Sequence, residues 1–118
     1  MLALVAVMAV ASPVSWATPP SFDCTKAVRD AERMICENPG LARMDAQSGA
    51  LYRRLMETVH VELRRNLQRN QLDFLRQRND CRANLPCLES SYLFRQVELC
   101  GIAKLYGLPC TDEGYPSR

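Results

Sequence analysis

The stretch NDCRANLPCLESSY, residues 79–92, holds two cysteines with five residues between them, and charged or apolar runs that favour helix lie on both sides. A short polar turn followed by Pro86 is typical of a connection between two antiparallel helices. Cys81 and Cys87 would then lie at the two rims of the hairpin, where a disulfide closes a loop of about seven residues. A metal site and a redox-active thiol pair are the alternatives, and the compartment of the chain decides between them.

The N-terminal residues are typical of an export signal. Residues 2–11 read LALVAVMAVA, an uncharged apolar run, and the small residues Ser15 and Ala17 follow, as at a signal-peptide cleavage site. The run is too short to span a membrane, which takes roughly 20 apolar residues. No Lys or Arg precedes it, so an uncleaved anchor is the alternative to a signal peptide over residues 1–17. We expect a periplasmic or secreted protein with no stable membrane insertion after cleavage.

The cysteine residues of the exported part are Cys24, Cys36, Cys81, Cys87, Cys100 and Cys110. An even number in a short exported chain is typical of a disulfide framework. Zinc sites usually combine closer cysteine pairs with histidine, and this chain has one histidine, His60. The CxxC spacing of thiol oxidoreductases is also absent. We therefore predict structural disulfides and no metal site, with pairing in neighbour order as the simplest arrangement.

The first pair, Cys24 with Cys36, places a condition on the backbone. A continuous helix over residues 24–36 would hold the two residues about 18 Å apart, which is too far for a disulfide. The chain must therefore fold back before the first helix begins.

The exported residues 18–118 show helical periodicity and no run that alternates with period two. We predict a single all-α domain, a small disulfide-stapled bundle of three to four helices with an antiparallel hairpin across Cys81 and Cys87. Neither proline nor glycine separates the second and third helical patterns, so one helix of about 40 residues is the alternative to a hairpin there. The predicted helices cover residues 30–36, 41–60, 61–81 and 87–106, the last beginning at 87 or 88.

Several polar side chains fall on or beside the apolar stripes of these helices. Burial of such groups is costly unless they are paired. We predict an internal network that holds the helices in register, for example through an ion pair of Asp45 with Arg78 or Arg95; participation in a binding surface is the alternative. The predicted members are Asp45, Gln71, Arg78, Tyr92 and Arg95.

The sequence gives no indication of an enzyme or a cofactor. GxSxG, HExxH and glycine-rich phosphate motifs are absent, and His60 is a lone histidine on a charged helix. The net charge of +2, from 15 basic and 13 acidic residues, gives no reason to expect nucleic acid as a partner. We expect a binding protein without catalytic residues.

Short patterns recur in a definite order along the chain: FDC at 22–24, E..IC at 32–36, L..MD at 41–45, LY at 51–52, Q..FLRQRNDC at 71–81 and CL...Y..R at 87–95. Over about residues 22–99 they resemble the LprI-type lysozyme inhibitor family. The resemblance implies a small exported, all-helical, disulfide-containing bacterial domain. For some members it implies inhibition of lysozyme, the hydrolase that cuts peptidoglycan.

The chain departs from the family pattern at four places. Arg29 stands where a Ser or Thr helix cap paired with Glu32 is expected. Phe74 replaces a usual Trp, Met44 replaces a usual Leu, and the pair Cys100 and Cys110 is additional.

We expect a binding function in one of two forms. The first is an inhibitor that occupies the cleft of a lysozyme-like glycosidase, where a pair of carboxylates does the chemistry. The alternative is a periplasmic adaptor that binds another envelope component without inhibition. The mildly basic charge does not steer the chain toward basic lysozymes. Two loops are candidates for the contact, and their candidate residues are Phe22, Asp23, Lys26, Arg82, Asn84 and Leu85.

Overall fold

The computed structural model describes residues 2–9 and 18–110. These residues form four α-helices and one short 3-10 helix, and no β-strand occurs among them. The expected all-α class is confirmed. After the 3-10 helix Cys24–Lys26, the helices are α1 (Asp30–Glu37), α2 (Pro39–Thr58), α3 (Val61–Asp80) and α4 (Leu85–Leu105).

The expected export signal is only partly covered. Residues 2–9 are exposed and form no helix, whereas the expected cleavage site at residues 15–17 lies outside the described residues. In the part of the chain that is described, none of the helices is apolar enough over a sufficient length to cross a bilayer.

Two helices begin two residues or more before their predicted starts, and proline explains both. Pro39 and Pro86 lie in the first turn of α2 and α4, where a missing N–H is no loss. Asparagine caps each helix: the side chain of Asn38 accepts from the backbone N–H of Leu41 at 3.1 Å, and Asn84 caps α4 in the same way. The prolines therefore begin these helices, although proline inside a helix would break it.

The second and third helices are separate, as the hairpin prediction requires. Val59 and His60 are both extended, with ψ of 156° and 168°, and they interrupt the helix. Arg64, in the first turn of α3, donates from Nε to the Met56 carbonyl at 2.9 Å and from Nη2 to the Val59 carbonyl at 3.2 Å. These bonds satisfy carbonyls at the end of α2 that have no helical partner. The Arg64 side chain thus replaces the backbone hydrogen bonds that a continuous helix would have made.

The helices pack around two apolar clusters, and α4 lies against both α2 and α3. The clusters join the start of α2 to the end of α3 and the start of α4, so α2 and α4 run parallel and α3 runs antiparallel to them. The first cluster contains Ala31, Ile35, Leu41, Phe74, Leu88 and Tyr92. The second contains Leu51, Leu55, Val59, Leu67, Leu99 and Ala103. Burial of each leucine side chain contributes roughly 2 kcal/mol.

Three disulfides join the cysteines in neighbour order. The Cα–Cα distances are 5.9 Å for Cys24–Cys36, 5.6 Å for Cys81–Cys87 and 5.0 Å for Cys100–Cys110, all within the usual range. Extended backbone at Ala27 and Arg29 lets the chain reverse before α1, as the first pair demands. Each bridge closes a local loop, so each one fixes an end or a connection and none joins two distant helices.

Removal of the Cys81–Cys87 bridge tests the contribution of the hairpin staple. We expect the double variant Cys81→Ala/Cys87→Ala to lose about 2 kcal/mol of unfolding free energy, because a loop of about seven residues regains its freedom in the unfolded chain. Urea unfolding of the oxidised protein and the variant measures the difference. The longer loop of Cys24→Ala/Cys36→Ala should cost slightly more; an unchanged midpoint in both variants would contradict the staple interpretation.

Candidate functional site

The two loops singled out from the sequence lie at the same end of the bundle, beside α1. The Cys24–Cys36 bridge ties the 3-10 helix to the end of α1. The turn between α3 and α4 approaches α1 from another side, where Ala83 and four α1 residues line a shallow groove of about 230 Å³. The α1 residues of this groove are Asp30, Arg33, Met34 and Glu37. The structure therefore brings the two candidate loops together around one short helix.

Most candidate residues of the first loop hold the loop in place. Phe22 is half-buried against the first cluster, and the Arg78 guanidinium lies 5.6 Å from the centre of its ring. Asp23 accepts from the backbone N–H of Thr25 at 2.9 Å and from its hydroxyl at 2.7 Å. These bonds lower the pKa of the Asp23 carboxyl, the hydroxyl bond most. Lys26 is exposed and is the side chain that this loop offers to a partner.

The candidate residues of the second loop also fall into two groups, those that hold the loop in place and one that is exposed. Leu85 is half-buried against the first cluster, and Asn84 caps α4 through the backbone N–H of Cys87 at 3.0 Å. Arg82 is exposed, and its side chain makes no hydrogen bond or ion pair with the described residues. It is the free cation of the turn.

Arg82 also has an unusual backbone. Its φ is +55°, in the left-handed region that a non-glycine residue occupies at a cost of about 1–2 kcal/mol. The turn keeps this conformation through hydrogen bonds from the Arg82 N–H to the Asn79 carbonyl at 3.1 Å and from the Asn84 N–H to the Cys81 carbonyl at 3.2 Å. Residues held in such conformations are common at binding sites.

Glu32 supports the start of α1 in place of the missing Ser or Thr cap. Its Oε1 accepts from the backbone N–H of Arg29 at 3.0 Å and of Val28 at 3.3 Å. These N–H groups have no helical acceptor, so the carboxylate satisfies two donors at once. The Arg29 bond is the main reason that the pKa of the Glu32 carboxyl is lowered. One half of a capping box is therefore sufficient here.

A buried polar group links three helices beneath this end of the bundle. Asp45 of α2 accepts from the Tyr92 hydroxyl at 2.6 Å, and Arg78 of α3 lies 3.7 Å from the same carboxylate oxygen. Arg78 also donates to the Tyr92 oxygen at 3.4 Å. Asp45 and Arg78 are each only 4% exposed. Burial is the first cause, and the charge of Asp45 the second, of the strongly raised pKa of the Tyr92 hydroxyl.

Ser21 completes the coordination of Asp45 and was missed from the sequence. Its backbone N–H and its hydroxyl both donate to Asp45 Oδ2 at 2.6 Å. The approach is close: a Cβ on Gly49 of α2 would lie 2.7 Å from the Cβ of Ser21. A side chain at position 49 would force the N-terminal segment away from α2. Asp45 and Gly49 lie one helical turn apart, and this spacing is the sequence signal from which a close contact of another segment with α2 could have been predicted.

Arg95 belongs to a second buried group and does not contact Asp45. Its guanidinium donates to Gln71 at 2.6 Å and to Asn70, and it lies 3.6 Å from the Glu98 carboxylate. Phe74 stacks beneath it at 5.1 Å. Burial lowers the pKa of Arg95, and Glu98 opposes that effect. Of the two ion pairs considered for Asp45, the structure contains the one with Arg78.

Among the described residues, no three His, Cys, Asp or Glu side chains form a group that would hold a metal ion. His60 is exposed, with its Nε2 3.5 Å from the Tyr106 hydroxyl. A groove of about 440 Å³ between α3 and α4 is lined by amides, carboxylates, a serine and two phenylalanine rings.

A comparison of the chain with protein-family models, with curated proteins and with solved structures finds no match. The fold and the geometry therefore define the protein only as a disulfide-bonded helical bundle with a loop-bearing end.

The hydroxyl of Tyr92 tests the importance of the Asp45 group. We expect Tyr92→Phe to lose about 1–3 kcal/mol of unfolding free energy, because Asp45 and Arg78 each lose a partner while remaining buried. Tyr106→Phe is the matched control, since its hydroxyl has only a long contact with the exposed His60. Thermal or urea unfolding compares the two variants. Equal losses of unfolding free energy in the two variants would show that the buried Tyr92 hydroxyl stabilises the fold no more than the Tyr106 hydroxyl does.

The lowered pKa of Glu32 predicts a dependence of stability on pH. A depressed folded-state pKa adds stability above the ordinary carboxyl value, and that stability is lost as pH falls through the folded-state pKa. We expect Glu32→Gln to be less stable than the parent protein near neutral pH, with the difference shrinking between about pH 5 and pH 3. Unfolding curves across this range measure it. Glu37→Gln, at the exposed end of α1, is the control; a difference independent of pH would contradict the assignment.

Proposed function

We propose that the protein is an exported binding protein that inhibits a lysozyme-like peptidoglycan hydrolase by placing the turn at residues 81–87 in its cleft. The observation that carries the proposal is Arg82, an exposed and unpaired cation in a left-handed conformation, on a turn closed by the Cys81–Cys87 disulfide. The three disulfides of the protein are compatible with an oxidising compartment outside the cytoplasm. The resemblance to the LprI-type family supports the choice of target.

The chemistry of the target complements Arg82. Hydrolases of this kind act with two carboxylates that flank the bond to be cut. A guanidinium binds a carboxylate through two parallel hydrogen bonds, with a strength that a neutral donor does not reach. An arginine held between the two carboxylates would exclude the sugar chain and neutralise the groups that perform the reaction.

The covalent closure of the turn favours tight binding. A flexible loop loses conformational freedom when it enters a cleft, and that loss reduces affinity. Here the turn is fixed by the disulfide, by the Asn84 cap and by two backbone hydrogen bonds. Most of the ordering has therefore occurred before the partner arrives.

The local charges at this end are mixed. Lys26 and Arg82 are exposed cations, whereas Asp30 and Glu37 lie in the shallow groove beside the turn. Arg33 lies in the same groove and pairs with Asp30 at 3.2 Å, so the surroundings of the cationic tip carry charges of both signs. The proposal therefore relies on short-range contacts, since the net charge of +2 gives no long-range attraction to a basic partner.

The test is the slowing of cell-wall lysis by a panel of purified lysozyme-type hydrolases. We expect dose-dependent inhibition by the oxidised protein, and a loss of about tenfold or more in potency for Arg82→Glu, because a central charged contact is reversed. Arg65→Glu is the matched control, since Arg65 is exposed near the start of α3, at the other end of the bundle.

Arg82→Gly separates binding from folding. Glycine adopts the left-handed conformation freely, so this variant should gain about 1 kcal/mol of unfolding free energy while its potency falls. A stable Arg82→Gly protein with full potency would remove the turn from the mechanism. Binding to a hydrolase without slower lysis would favour the adaptor function instead.

A further inference from the structure

The outward side of α4 carries a row of exposed apolar side chains. Leu93 is 59% exposed, Phe94 73%, Val97 71% and Leu105 83%. They follow one another at helical spacing on the side of α4 that faces away from its buried residues Leu88, Tyr92, Arg95, Leu99 and Ala103. A contiguous row of this kind on a small domain is typical of an interaction surface. We call these four residues, together with Gly101, the outer face of α4.

Gly101 makes no packing contact with the rest of residues 18–110. A Cβ built at this position meets nothing within 4 Å, and the backbone is helical. Glycine inside a helix lowers stability relative to alanine. The stability of the fold therefore does not explain the presence of glycine at position 101. A residue without a side chain does allow a second backbone or a large side chain to approach closely. The position therefore suits a knob supplied by a partner.

The outer face has a nearly symmetrical pattern about Val97. Phe94 lies three residues before it and Gly101 four residues after it, while Glu89 lies eight before and Lys104 seven after. A twofold axis at Val97 between two antiparallel copies of this helix therefore places Gly101 of one copy within one residue of the level of Phe94 of the other, an offset of about 1.5 Å along the helix. Lys104 is offset by the same amount from the level of Glu89 of the other copy, which the two long side chains can span.

We propose that two copies of this chain associate through the outer face of α4, with the two α4 helices antiparallel. The apolar centre buries Phe94 and Val97, and the two Glu89–Lys104 contacts lie at its ends, each beside Leu105. Glu89 and Lys104 are both exposed, and neither forms an ion pair with the described residues of its own chain. An apolar centre with a charged rim is the usual composition of an interface, and a self-complementary patch is what a twofold dimer requires.

The size of the surface sets the expected strength. From Glu89 to Lys104 the helix extends about 22 Å, and one helix face is smaller than the roughly 800 Å² per partner that stable complexes bury. We therefore expect a reversible dimer with a dissociation constant in the micromolar range. The turn at residues 81–87 precedes this surface and stays outside it, so self-association goes beyond the proposed inhibition and is separable from it.

Sedimentation velocity of the full oxidised protein across a concentration series, in low salt, tests the proposal. We expect a concentration-dependent shift from monomer to dimer. Glu89→Lys and Lys104→Glu should each raise the dissociation constant about fivefold or more, because each change introduces two repulsive contacts per dimer. The double reversal Glu89→Lys/Lys104→Glu should restore the parent value. Restoration is the result that a merely structural role of either residue would not produce.

Gly101→Gln provides an independent readout. It should abolish the dimer while raising the melting temperature of the monomer, since glutamine favours helix and its side chain enters open space. Leu72→Gln, on the exposed side of α3, is the matched control and should change nothing in association. A monomer at all concentrations, or a dimer that tolerates the α4 variants, would overturn the proposal. Unchanged inhibition of lysis by Gly101→Gln would show that the two surfaces act separately.

Discussion

The carboxylate of Asp45 is the group on which the arrangement of the bundle depends. It is buried at the level where α2, α3 and α4 meet, and an unpaired carboxylate there would cost several kcal/mol. Tyr92, Arg78 and Ser21 supply its partners from α4, α3 and the N-terminal segment. A shift of any one of these elements by one residue would take its donor away from the buried charge. The polar group therefore selects one register among the many that apolar packing alone would tolerate.

The disulfides act at a different level. Each closes a loop within one neighbourhood of the chain, so they restrict the ends and turns of helices whose packing the apolar clusters and the Asp45 group decide. This division explains how a strained residue such as Arg82 persists at the surface. The Cys81–Cys87 disulfide holds the turn, and the Asn84 cap holds the start of α4. The left-handed backbone of Arg82, which costs about 1–2 kcal/mol, therefore does not disturb the core.

Helix number, order and cysteine pairing were accessible from the sequence because they depend on local signals: apolar spacing, short loops and an even number of cysteines. Helix starts were less accessible, since Pro39 and Pro86 serve equally well as breakers and as first-turn residues until the capping asparagines are seen. Partner choice within the core was harder. Arg95 and Arg78 occupy similar stripe positions, and only the packing directs one to Gln71 and the other to Asp45. The outer face of α4 could not be distinguished from its buried face by sequence, because apolar residues lie on both sides of this helix.

The contact between Ser21 and Gly49 fixes where the folding unit begins. Ser21 precedes every regular helix, yet two of the hydrogen bonds to the central carboxylate come from it. A protease that trimmed the chain at Cys24 would leave all the helices intact and strip two donors from Asp45. The border of the domain therefore lies upstream of its first helix, and any cut that keeps both Ser21 donors must fall before residue 21.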